Sequence, residues 1–260
     1  MSLFRECERL VVVSFFSIAV LILISIPVHI SAAKNVETNF DSANFDADSN
    51  VIDNMYMPLE PGTTFYYEAE TEDGLETDTV EVTDAPCNIL GVECVEVSDM
   101  AYLEDCLIED TLDWFAQDKD GNVWYLGEDT VSYDVDEDCN PIGPPSTEGS
   151  WEAGQDVAGI GTDAEAGIVM LAKPKQGLSY MQEFYEEEAE DMANVLRLNA
   201  TVSTELADYE GCLETKEWTP LEHGAIEHKY YAPGIGLVYV EELKGKTVKV
   251  ELVDIELPAP

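Results

Sequence analysis

Thr111-Leu-Asp-Trp-Phe-Ala-Gln-Asp-Lys-Asp-Gly-Asn-Val-Trp-Tyr-Leu-Gly-Glu128 reads as a β-hairpin. Trp114 and Phe115 close one strand, and Val123-Trp124-Tyr125-Leu126 opens the return strand. Between them, Asp118-Lys-Asp-Gly-Asn122 supplies turn residues, with Asp120-Gly121 providing the positive φ that a tight hairpin needs. A shorter version recurs at Lys229-Tyr-Tyr-Ala-Pro-Gly-Ile-Gly-Leu-Val-Tyr239.

Outward from this hairpin the chain is strands and turns. Thr63 to Glu70 and Thr77 to Thr83 carry β-formers and are split by Asp73-Gly74. Ile89 to Val97, Leu107 to Phe115 and Val123 to Tyr133 follow as further strands, and 154–167 is a Gly/Ala/Asp loop. Glu186 to Asn194 is the one stretch that predicts a helix, short and acidic. The two halves also superpose. At a shift of 118, Cys94–Glu109 meets Cys212–Glu227 without a gap and six of sixteen positions are identical. The expected architecture is therefore all-β and mostly antiparallel. Two tandem meanders, 58–150 and 172–256, form one domain (58–256), either a sandwich or a curled half-barrel.

Charge narrows the partners. Asp plus Glu number 55 against 12 Lys plus Arg, a net charge of −43. Such a surface repels phosphates, which excludes nucleic acid and anionic lipid headgroups as partners, and it attracts cations. Leu10 to Val28 is apolar, follows Arg5 and Arg9, and precedes Ser31-Ala32-Ala33. This predicts a signal peptide over 1–33, and hence an exported, extracytoplasmic protein. An uncleaved segment would instead act as a membrane anchor. Residues 34–57 are rich in Asn, Asp and Ser and predict a flexible acidic linker. Five cysteines follow the apolar segment: Cys87, Cys94, Cys106, Cys139 and Cys212. An odd number allows at most two disulfides and leaves one thiol.

Trp114-Phe-Ala-Gln-Asp-Lys-Asp-Gly-Asn-Val-Trp-Tyr-Leu-Gly-Glu128, Gly149-Ser-Trp-Glu-Ala-Gly154 and Lys229-Tyr-Tyr-Ala-Pro-Gly-Ile-Gly-Leu-Val238 together resemble a widespread group of exported prokaryotic proteins with no assigned biochemical function. The resemblance covers Pro58 to Val253 and implies export and a single β-rich domain. It lends no catalytic residues, and Cys87, Cys106 and Cys139 stand outside it.

No phosphate loop, dinucleotide fingerprint or Gly-x-Ser-x-Gly occurs. Asp118, Asp120 and Asn122 superficially match a calcium loop. That loop needs glycine at position six and a bidentate acid at twelve, whereas Gly121 stands at four and Asp129 at twelve. His223 and His228 lie an odd number of residues apart, so a strand would point them to opposite faces. Trp114, Trp124, Tyr125, Trp151, Trp218, Tyr230 and Tyr231 are the candidate lining of a ligand cleft. The reading that follows is a non-enzymatic exported binding or envelope protein taking a small apolar ligand, with no cofactor. A calcium-dependent acidic surface protein and a hydrolase using a carboxylate pair are the alternatives.

Overall fold

The structure is a computed structural model and describes residues 34–36, 38–243 and 248–258. The expected signal segment lies outside the described residues. In chain order the strands are β1 (Lys34–Asn35), β2 (Ile52–Asn54), β3 (Met57–Leu59), β4 (Thr64–Glu70), β5 (Leu75–Val82), β6 (Cys87–Ile89), β7 (Val92–Leu103), β8 (Cys106–Gln117) and β9 (Val123–Ser132). They continue as β10 (Trp151–Glu152), β11 (Glu165–Met170), β12 (Leu178–Met181), β13 (Glu183–Phe184), β14 (Met192–Ser203), β15 (Asp208–Trp218), β16 (Ile226–Ala232), β17 (Gly236–Glu242) and β18 (Val248–Glu256).

Among the described residues, sixteen strands form one sheet. Its central order is β12-β14-β15-β16-β17-β18-β4-β5-β7-β8-β9-β11, so two meanders stand side by side. They join where β18 pairs with β4, placing Val250 opposite Ala69 and Glu256 opposite Thr64. Hairpin turns set each register. Leu90-Gly91 and Glu104-Asp105 are two-residue loops with both φ values positive, which matches the twist of the strands they connect. The sheet then curls back on itself into a nearly closed barrel. β12 pairs with β14, the chain bends at Gln182, and β13 pairs with β11. Gly167 marks that crossing, where an added Cβ would collide with the Gln182 carbonyl. β1 runs parallel to β12 and covers its outer edge.

Register also decides what fills the barrel. Side chains that are opposite in a ladder share a face. Near one end the inward set is Phe65, Tyr67, Val82, Val97, Phe115, Tyr125, Leu213, Tyr231 and Leu252, all buried. Phe115 stacks on Tyr125 at 4.9 Å, and Trp151 meets Tyr125 edge-on at 5.2 Å. The same ladders, followed to the other end, turn to carboxyls: Glu76, Asp78, Asp99, Glu109, Asp113 and Glu128 in the first meander, and Glu217, Glu227 and Glu242 in the second. The barrel is polarised along its axis.

Two sequence expectations are corrected. Glu186–Asn194 is no helix. Tyr185 and Ala189 exchange backbone hydrogen bonds around a turn with Glu187 at φ 63°, and Met192–Asn194 already belongs to β14. Four glutamates in five residues repel one another in a helix turn, while Met192 to Asn194 is pulled into the β12 and β15 ladders. Among the described residues the helical content is one 3-10 turn, Ser42–Asn44. Nor is 34–57 a loose linker. Phe40 and Phe45 pack on Trp124 at 5.6 and 6.1 Å, and Ile52 is buried. Its polar groups are anchored too. Ser49 Oγ donates to Glu93 O at 2.7 Å, Asn54 Nδ2 to Gly121 O at 2.9 Å, and Gly234 N to Met55 O at 2.7 Å. Residues 38–59 thus form a cap that ties the tips of both aromatic hairpins together at the apolar end.

Candidate functional site

Beneath the cap lies an apolar pocket of about 30 Å³. Phe65, Tyr67 and Val80 of the first meander form one wall, and Tyr231, Ile235 and Leu237 of the second form the other. Met57, Pro58 and Leu59 roof it. Tyr67 Oη donates to Leu237 O at 3.1 Å and so bridges the two meanders across β18. The pocket is therefore shared by both meanders and the cap.

The opposite, acidic half is organised around Glu217. Its Oε1 accepts from Thr215 Oγ1 at 2.6 Å and Tyr231 Oη at 3.0 Å, and its Oε2 accepts from Gln182 Nε2 at 3.2 Å. Lys229 Nζ lies 3.2 Å from Glu217 Oε2 and 3.2 Å from Glu227 Oε2. These two carboxylates hold the Lys229 ammonium well above its ordinary range, against the opposing effect of its burial. Burial, partly offset by Lys229 and reinforced by Glu227, raises Asp191 to about 7. Burial and then Glu227 raise Glu242 to about 7.

Across the interior, Asp113 and Glu128 are directly opposite on β8 and β9. Tyr125 Oη donates to Asp113 Oδ1 at 2.5 Å, and Thr130 Oγ1 donates to Glu128 Oε2 at 3.0 Å. Burial, then the Glu128 charge, pushes Asp113 well above the carboxylate range. Burial, then Asp191 and Glu128, does the same to Glu183, and the Trp151 indole offsets only part of this. Asp113 Oδ2, Glu183 Oε2 and Tyr180 Oη are buried without a hydrogen-bond partner among the described residues. The Asp113–Glu128 pair is sealed from solvent.

The aromatic residues singled out in the sequence do not converge. Tyr231 lines the pocket. Tyr125 and Trp151 are interior packing. Trp124 carries the cap and donates its Nε1–H to Asp118 Oδ2 at 2.8 Å. Trp114 is half-buried and donates to Glu96 Oε2 at 3.2 Å. Trp218 is also half-buried, under the Lys216 ammonium, and Tyr230 packs on Tyr239. The other pocket residues, Phe65, Tyr67 and Leu237 among them, read as ordinary strand residues, Met57 closes the expected linker, and Pro58 and Leu59 open the expected domain.

Asp118, Asp120 and Asn122 form a turn whose donors and acceptors serve the turn itself. Asp118 Oδ1 accepts from the backbone N–H of Asp120 and of Asn122 at 2.9 Å each, and its Oδ2 accepts from Asn122 Nδ2 at 2.8 Å. Asn122 Oδ1 accepts from Ala172 N at 2.9 Å. The same five-residue turn recurs at Asp136-Glu-Asp-Cys-Asn140, with Cys139 at φ 62° in place of Gly121 at φ 89°. Among the described residues no group of three or more His, Cys, Asp and Glu is arranged to hold a metal ion. His228 Nδ1 pairs with Glu214 Oε1 at 3.3 Å, and His223 is exposed. Cys87 bonds Cys94 and Cys106 bonds Cys139, leaving Cys212 as a buried thiol.

The fold and its interior define an all-β, nearly closed barrel, capped at an apolar end and acidic at the other. No family model matches the chain. No curated protein matches it. Among solved structures it is similar to a candidate lipoprotein from Parabacteroides distasonis, with a TM-score of 0.36 and 13% identity over 78% of this chain and 99% of that one.

Proposed function

We propose that the chain is an exported, non-enzymatic binding protein that takes a small apolar group in the pocket beneath the cap. The observation that carries this reading is the pocket's construction from both meanders and the cap, with apolar side chains on every wall. Its volume of about 30 Å³, on a scale where about 10–15 Å³ holds one water-sized group, leaves room for a short apolar chain end. Two disulfides support an extracytoplasmic location, because such bonds persist in oxidising compartments. The resemblance to exported proteins without assigned chemistry points the same way.

Native mass spectrometry of the mature protein from its own host tests this. The expected result is an added apolar mass that organic solvent releases and that Leu237→Trp, which fills the pocket, removes. Bare protein at its calculated mass in both forms, together with no uptake of short-chain alcohols or alkanes by the wild type, would overturn the reading.

A further inference from the structure

The two ends of the curled sheet meet at one short segment, 182–191, and that segment is where the buried acids converge. Gln182 N donates to Asp191 O at 2.8 Å, which pinches the segment into a loop. β13, inside the loop, makes the pairing with β11 that closes the barrel, at Glu165–Phe184 and Ala166–Glu183. Glu183 turns its side chain inward against the first meander. It faces Asp113 on β8, Glu128 on β9 and the Trp151 indole on β10, and its 2% exposure leaves no route to water. Asp191 turns inward against the second meander, where it meets Glu217 and Thr219, and Glu227 and Lys229 on β16. Asp113 in turn faces Asp99 on β7 and Glu109 on its own strand. Lys229 is committed to Glu217 and Glu227. No Lys, Arg or His among the described residues forms an ion pair with Asp113, Glu183 or Asp191.

We infer that segment 182–191 is a proton-dependent latch, which holds the barrel closed while Glu183, Asp191 and Asp113 are protonated and releases it as they ionise. Three observations combine. Acids from both meanders are brought together at the closing segment. Glu183 Oε2 and Asp113 Oδ2 have no partner there. Finally, the closing ladder is short, only two residues on each side.

The direction follows from linkage. In the closed state burial keeps these acids protonated above their ordinary range, with Asp191 at about 7. Opening exposes them to water, where they ionise near the ordinary carboxyl range. Opening therefore releases protons. Closure is complete below that range and is lost as pH rises through about 7, the value for Asp191. Glu183 and Asp113, raised by burial in the same direction, add to the loss. Lys229 works against the switch, since its ammonium favours an ionised Asp191. The inference does not depend on what the pocket binds.

Hydrogen–deuterium exchange on the full exported chain, at constant salt and corrected for intrinsic exchange rates, tests it between about pH 5 and pH 9, a span that brackets the titration. Amides of 165–167 and 182–191 are expected to lose protection by at least about tenfold across that range, the factor supplied by a single carboxyl that titrates about one pH unit higher when buried than in water. β4, β5 and β18 are expected to keep theirs. Glu183→Gln with Asp191→Asn flattens the profile, whereas Glu186→Gln, on the exposed part of the same segment, leaves it as in the wild type. Should the double variant fail to fold, the wild type alone decides. Its infrared spectrum is expected to show the C=O stretch of a protonated carboxyl at neutral pH, vanishing over the range in which protection falls. Protection of 182–191 independent of pH, or no protonated-carboxyl band at neutral pH, would overturn the inference.

Discussion

Asp118→Ala is the substitution whose cost can be worked out most directly. The carboxylate accepts four hydrogen bonds, from the backbone of Asp120 and Asn122, from the Asn122 amide and from the Trp124 indole, all at 2.8 to 2.9 Å. A hydrogen bond to a charged group contributes about 1.5–3 kcal/mol, but three of these donors sit in a turn that water reaches once the loop relaxes. The Trp124 N–H is different. It is buried beneath Phe40 and Phe45, so it stays orphaned at a cost of about 1–3 kcal/mol. Allowing for non-additivity, the expected loss is about 3 kcal/mol, or roughly 6–12 °C in Tm for a domain of this size. Urea denaturation at fixed salt, followed by Trp fluorescence, measures it, and Asp118→Asn should restore part because its amide oxygen still accepts. A loss under about 0.5 kcal/mol, the range of ordinary surface changes, would refute the staple assignment. So would a wild-type Tm that falls on chelation while that of Asp118→Ala does not, since the turn would then be holding calcium.

Gly167→Ala is expected to lower Tm and to loosen β11 from β13, because the new Cβ meets the Gln182 backbone rather than a mobile side chain. Overpacking of this kind costs about 1–3 kcal/mol, and exchange of the 165–166 amides checks it. Cys106→Ser with Cys139→Ser opens a loop of sequence separation 33, against 7 for Cys87→Ser with Cys94→Ser. Loop entropy puts these losses at about 3.7 and about 2.4 kcal/mol, so calorimetry should show the first pair to be the more destabilised.

The hairpins were legible because their signals are local. Asp120-Gly121 and the alternation around it specify a turn between two strands without reference to anything distant. The cap was not legible, since Phe40, Phe45, Ile52 and Met57 have no period and become apolar contacts only once Trp124 and Leu237 arrive from far along the chain. The inside of the acidic half was misleading for a sharper reason. In β8, hydrophobic alternation selects Leu112 and Trp114 for the core, yet the register with β7 and β9 turns Asp113 and Thr111 inward. Alternation identifies the inward face of a strand only where the interior is apolar, and here half of the interior is not. The acidic run 186–190 failed in the same way: propensity favoured a helix, while pairing at Met192 and Ala193 won.

The joint between the meanders has a consequence for the order in which the chain folds. Thr64 must wait for Glu256, so β4 keeps one open edge until nearly all of the intervening chain is in place. In a chain synthesised amino end first, the first meander forms as a template with an unfilled side, and β18 is the piece that completes it. The strand that occupies the middle of the finished sheet is thus the last to arrive. A net charge of −43 opposes the pairing of neighbouring half-made sheets in the interval.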